Sequence, residues 1–173
     1  MKKLIALAAA SLLLAGGATR AQSPNDAQIA FIVVTANQVD IDAGKLAESK
    51  ASSADVKAFG KQMVTDHSGV NKQAVALVTR LKVTPEDNAT AKSLKSGGAE
   101  NVARLEKLSG AAFDRAYVDH EVVYHEQVLE ALDTTLIPNA QNAELKALLV
   151  AVRPAFVAHL DHARHIQTSL KKG

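Results

Sequence analysis

The chain has 173 residues, room for one domain of ordinary size, and a formal charge of +2. It contains no Cys, which excludes disulfides, thiolate metal sites and thiol catalysis, so the core must hold without covalent staples. Trp is absent and aromatics make up only 3%, while Ala, Leu, Val and Lys dominate, a composition that favours helices.

The first residues read as a secretory signal peptide. Lys2 and Lys3 precede a short apolar run from Leu4 to Ala15, and Thr19-Arg20-Ala21 supplies a cut after Ala21. The run is too short for a permanent anchor, and no Cys near the cut could carry a lipid. No later stretch is apolar enough to span a membrane. The expectation is an exported, soluble domain from residue 22 to 173, periplasmic, with association to an outer membrane left open. Losing Lys2, Lys3 and Arg20 turns the charge from +2 to −1, which removes the main support for nucleic-acid binding.

Pro24-Asn25-Asp26 marks a helix start, with Asn25 or Asp26 as N-cap. The first helix runs to about Lys50 on the stripe Ile29, Ile32, Val33, Ala36, Val39/Asp40, Ala43, Ala47. Ser52 or Ser53 caps the second, whose stripe is Val56, Phe59, Met63, His67, Val70, Ala74, Leu77, Val78, Leu81. Thr84-Pro85-Glu86-Asp87 ends it and opens something new, since Pro at the first helical position starts helices. From Pro85 to Ser109 the pattern weakens, and two short helices divided by Gly97-Gly98 are expected.

After the break at Ser109-Gly110, a third long helix spans about Ala111 to Asp133. It places Phe113, Tyr117, Val118, Glu121, His125, Val128 and Leu132 on one side. Pro138-Asn139 interrupts the chain. The last helix runs from about Ala140 to Leu170, with Leu145, Leu148, Val152, His159, Ala163, Ile166 and Leu170 inward. Pro154 sits inside it as a kink rather than a stop, because the periodicity continues in phase.

Asp40, His67, Glu121, His125 and His159 thus occupy stripe positions where Leu or Val is usual. A polar group in a core costs several kcal/mol unless it is paired or bound, so five on four facing helices point to a site. Counting residues from the turns puts all five within about one helical turn in height. That holds if the first turn, the start of the third long helix and the end of the last share one end of the bundle. The connection between the second and third long helices must then cross the whole length. The expected fold is all-α, a ferritin-like four-helix bundle with a long helical crossover.

Four segments carry a resemblance. They are NQVDIDAGKLA (Asn37 to Ala47), VKAFGKQMVTDHS (Val56 to Ser68), FDRAYVDHEVVYH (Phe113 to His125) and RPAFVAHLDHA (Arg153 to Ala163). The chain resembles a bacterial exported family, domain of unknown function 4142, regarded as ferritin-like and without a settled activity. By motif, the family's recurrent histidines correspond to His67, His125 and His159, and its usual first-helix Glu is Asp40 here. The resemblance implies fold and compartment more than function.

Imidazoles with one or two carboxylates suit Zn, Cu, Ni or Fe in an all-N/O site. Glu121 and His125 at i, i+4 can share an ion, as can His159 and His162 at i, i+3. Ordinary di-iron sites need more carboxylate: a Glu from each of two helices and Glu-x-x-His from the other two. Here Met63 and His159 stand where two of those Glu residues belong. A His-rich mononuclear site fits better, with Met63 nearby.

The competing reading is a hydrogen-bonded layer that fixes helix register, with His67 on Asp40 and His159 on Tyr117 or Asp114. An organic ligand is a third possibility. Asp66 is expected to orient His67, and Asp114 to cap a helix or bond a neighbouring one. Tyr117 and Tyr124 are expected to pack, His162 to lie at the edge, and His120 and His165 to lie toward the edge or outside as ordinary surface residues. No hydrolase, phosphate-loop or His-Glu-x-x-His motif is present, so binding or buffering is favoured over turnover, with an oxidase or peroxidase the weakest alternative. The sequence names no protein partner and leaves a homo-oligomer open.

Overall fold

The computed structural model of the protein describes residues 23–172, so the segment read as a signal peptide lies outside them. Helix α1 (Asp26–Lys50) starts on a capping box in which Asn25 accepts from the Gln28 backbone and Gln28 reaches back. Helix α2 (Ala54–Leu81) is capped by Ser53 and closed by Lys82 in the left-handed region, φ 55°. The second helix therefore ends ahead of Thr84-Pro85, and Pro85 does not open the next one. Helix α3 (Ala89–Glu106) begins at Asn88, whose side chain accepts from the Ala91 N–H.

The two short helices expected around Gly97-Gly98 are instead this one continuous helix. The reason is tertiary. Gly98 is buried where α3 crosses α1, and a Cβ there would stand 2.7 Å from Val39 Cγ2. Close packing of the two helices outweighs the roughly 1 kcal/mol helix penalty of a glycine. Helix α4 (Gly110–Ala131) also departs from expectation: it ends in a π-helical turn, Leu132–Leu136, rather than at Asp133. The short α5 (Ile137–Asn139) follows. Helix α6 (Ala143–Leu170) starts three residues later than expected, because Asn142 caps it through the Glu144 and Leu145 N–H groups. It runs through Pro154, which is exposed.

Polar ties at the two ends define the topology. At one end Asp114, early in α4, accepts from the Ser52 and Ser53 backbone N–H groups at 2.9 and 2.8 Å. Lys50 Nζ reaches the Glu106 carbonyl, and His162, late in α6, bonds Gln62 in the first half of α2. At the other end Asp26 accepts from Gln141 and Asn142 at 2.8 and 2.9 Å, and Glu86 N–H donates to the Ala27 carbonyl. The α1–α2 turn, the end of α3, the start of α4 and the end of α6 therefore share one end. Helix α3 carries the chain back along the bundle, a span of about 27 Å for its 18 residues. The protein is a helical bundle, and the lengthwise crossover required by a level polar layer is present.

The α1–α2 seam is the tightest. A Cβ on Gly60 would lie 2.7 Å from Ala47 Cβ, and one on Gly44 would lie 2.8 Å from the Gly60 carbonyl. Phe59, Met63, Phe113, Tyr117, Leu105 and Leu149 fill the interior with no exposure to solvent.

The two adjacent glycines of α3 predict opposite outcomes. Gly97→Ala meets nothing within 4 Å and should stabilise the protein by about 1 kcal/mol. Gly98→Ala should destabilise it by about 1–3 kcal/mol through overpacking against Val39. Urea unfolding midpoints measure both, and a stabilised Gly98→Ala would contradict the α1–α3 contact.

Candidate metal centre

Midway along the bundle, α1, α2, α4 and α6 each turn one or two polar side chains into the core. Asp40, His67, Glu121, His125 and His159 are at most 3% exposed. The three imidazoles form a near-regular triangle, with ring centres 5.2 Å (His67–His159), 5.5 Å (His125–His159) and 5.7 Å (His67–His125) apart. One ring nitrogen from each lies within 4.8 Å of the others. A second set, Asp40, Glu121 and His125, meets the same limit, so His125 joins the two.

Hydrogen bonding fixes which nitrogen each ring presents. The Asn37 amide donates to the Val33 carbonyl at 2.9 Å, which turns its oxygen toward His67 Nδ1, 2.6 Å away. His125 Nδ1 lies 3.0 Å from the Glu121 carbonyl one turn earlier. His159 Nε2 lies 2.9 Å from Asp66 Oδ2. An oxygen thus faces one nitrogen of every ring, and on His125 and His159 the other nitrogen is left to carry the lone pair. Those remaining nitrogens, His67 Nε2, His125 Nε2 and His159 Nδ1, are buried without a hydrogen-bond partner. His67 Nε2 is 2.9 Å from Asp40 Oδ2, but off the direction of a straight hydrogen bond. His125 Nε2 is 3.5 Å from the same oxygen.

The carboxylates are arranged unequally. Burial alone would raise the Asp40 pKa, but the neighbouring His67, by charge and contact, and His125 hold it well below the ordinary carboxylate range. Burial pushes Glu121 well above its ordinary value, and the negative charge of Asp40 beside it adds to the effect. The two shifts run in opposite directions, favouring a protonated Glu121 beside an ionised Asp40. Burial also lowers the pKa of His125 and His159, favouring neutral rings able to donate a lone pair.

The other residues singled out in the sequence fall elsewhere. Asp66 is half-buried and orients His159, not His67, because it projects toward α6 rather than back along its own helix. His159 consequently bonds neither Tyr117 nor Asp114. Asp114 ties the α1–α2 turn at the end of the bundle. Tyr117 is fully buried and stacked on Phe113 at 6.3 Å, and its hydroxyl has no partner. Met63 is fully buried at the α1–α2 seam beside Gly44. His162 is exposed and packs edge-on against Phe59. His120 lies at the edge of the core rather than as an ordinary surface residue: its side chain is 22% exposed, stacked on Tyr124, with Nδ1 3.8 Å from Glu121.

Sequence reasoning missed Asn37 and Phe156. Asn37 lies one turn before Asp40 on the same buried face, a spacing that could have revealed it. Phe156 stacks on His67 at 5.0 Å and 19°, fixing the ring plane from the α6 side. It lies beside the expected stripe, as does Leu149, which is buried where Leu148 was expected to be.

The family model described as Domain of unknown function (DUF4142) matches residues 13–166. No curated protein and no solved structure matches the chain.

The protonated Glu121 predicts a pH-dependent stability. Above about pH 4.5 the unfolded chain releases this proton while the folded chain retains it, so its burial costs more as pH rises. Glu121→Gln removes that cost. In metal-free protein its stability advantage should be absent below the ordinary Glu range and grow with pH above it. Denaturant titrations at several pH values measure the difference. An advantage that stays constant from about pH 5 to pH 8 would mean that Glu121 is already ionised in the fold.

Proposed function

The chain belongs to this family of unknown function, and on that premise we propose that it is a metal-binding protein with one His/carboxylate centre. One observation carries the reading: three buried imidazoles bring a ring nitrogen each within 4.8 Å of one another, and His125 also joins Asp40 and Glu121 in a second such set. Metal-ligating histidines generally donate their other N–H to a carbonyl or carboxylate, which sets the tautomer and the ring plane. Asn37, the Glu121 carbonyl and Asp66 are placed for that task. As structural residues alone, His125 Nε2 and His159 Nδ1, buried without a hydrogen-bond partner, would cost desolvation energy with no return.

The donors are all nitrogen and oxygen, with imidazole in excess of carboxylate. That set suits Zn, Cu, Ni or Fe rather than Ca or Mg. His67, His125 and His159 with Asp40 would hold the ion, and Glu121 would join them on losing its proton. Among the described residues, Asp40 and Glu121 are the carboxylates that group with the imidazole nitrogens as possible ligands, fewer than ordinary di-iron chemistry uses. The reading is therefore binding or buffering of a metal rather than turnover.

The signal-like N-terminus supports an exported, periplasmic protein whose single domain runs from residue 22 to 173. No described helix is long and apolar enough to cross a membrane. A second reading rests on the Asn37–His67–Asp40 contacts, which need no ion to hold α1 against α2. In that case the layer is structural, and the protein serves as a non-catalytic envelope module.

Metal content by mass spectrometry on untagged mature protein, followed by Zn(II), Cu(II) and Fe(II) titration, separates the two. The metal reading expects near-stoichiometric metal that is lost in the His67→Ala/His159→Ala double variant. Asn37→Leu should weaken affinity about 10- to 100-fold by freeing the His67 ring. Metal-free protein with no affinity tighter than about micromolar, together with a His67→Leu variant that folds normally, would establish the structural reading instead.

A further inference from the structure

The polar cluster is not enclosed equally on all sides. A cavity of about 220 Å³ lies between α1, α4 and α6 and reaches the Asp40, His67 and His125 side of the cluster. Glu121 and His159 do not line it. Its walls are apolar, formed by Ile32, Leu132, Leu136, Leu149 and Val152 among others. Its two exposed lining residues, Thr90 and Gln127, mark the way to solvent.

Two features set this cavity apart from a packing defect. First, its size exceeds the roughly 150 Å³ of an engineered apolar cavity that stays dry and binds benzene. Water needs two to four polar partners, which the apolar stretch of wall between the cluster and the mouth does not supply. Second, the wall contributed by the end of α4 is the π-helical turn Leu132–Leu136, in which the Ile137 N–H bonds the Leu132 carbonyl five residues back. Such turns are rare and frequently sit at functional sites. Here the turn places Leu132 and Leu136 in the cavity wall.

We propose that this cavity is the binding site for a small, mainly apolar organic molecule whose single neutral head group, an azole or amine nitrogen or a hydroxyl, ligates the metal from the Asp40–His67–His125 side. This rests on the metal reading of the cluster. The Asp40 carboxylate lines the inner end of the cavity, so a neutral head group fits beside it better than an anionic one. The apolar walls take a ring or short alkyl chain, and the volume limits the molecule to about the size of a substituted benzene.

The test uses mature protein loaded with Co(II), whose visible absorption reports coordination, titrated with 4-phenylimidazole and with imidazole itself. Both carry the same head, and only the first carries a body for the cavity. We expect both to change the Co(II) bands, with 4-phenylimidazole binding about tenfold tighter or more through burial of its ring. Ala131→Leu and Ala36→Leu narrow the cavity from opposite walls without touching a proposed ligand. Each should bring the two affinities within about twofold while Co(II) affinity stays unchanged. Normal Co(II) bands with equal affinity for the two azoles overturn the cavity proposal alone, as does a preference that survives both substitutions. Absence of Co(II) bands before any azole is added overturns the metal reading and this proposal together.

Discussion

The cost of placing ionisable groups in a water-poor core governs this structure. Asp40, His67, Glu121, His125 and His159 are nearly inaccessible to solvent, and each such group demands a partner. The helices are consequently held in one register. Sliding α2 by a turn would remove His67 from both Asn37 and Asp40. Sliding α6 would separate His159 from Asp66. An apolar layer of the same volume would pack with equal or greater stability, but it would not select this register so sharply.

The surrounding scaffold makes that register rigid on one side and open on the other. Gly44 and Gly60 let α1 and α2 approach backbone to backbone, and Gly98 lets α3 close over α1. Asp114 and Asp26 clamp the two ends by accepting from N–H groups of neighbouring turns. Between α1, α4 and α6 the packing is looser, and the cavity lies there. Tight packing thus positions the imidazoles, while the cavity leaves a way to reach them.

Chemically, the cluster combines basic nitrogens with acids that differ in protonation. The Asp40 pKa is held down and the Glu121 pKa pushed up, although they are neighbours, because burial and mutual repulsion disfavour two charges this close in a core. Binding a cation would reverse that restriction and draw the second proton off, so affinity would rise with pH. The same groups that make the metal-free core costly are those a metal would use.

Four long helices, their inward faces and the level of the polar residues were legible in the sequence, because the 3.6-residue period and the rise per residue are local properties. Asn25 and Ser53 as caps were legible for the same reason. Distance along the chain hid the rest. Gly97-Gly98 reads locally as a break, yet Val39, almost sixty residues earlier, makes it continuous. Asp66 reads as a partner of its neighbour His67, yet it bonds His159, ninety-three residues on. The π-helical turn, the Phe156 stack and the cavity follow from how α4 and α6 meet α1. Sequence by itself determined the helical stripes and the height of the polar residues on them. Only the tertiary structure decided which nitrogen each histidine presents, since that depends on acceptors brought by other helices or by the turn before.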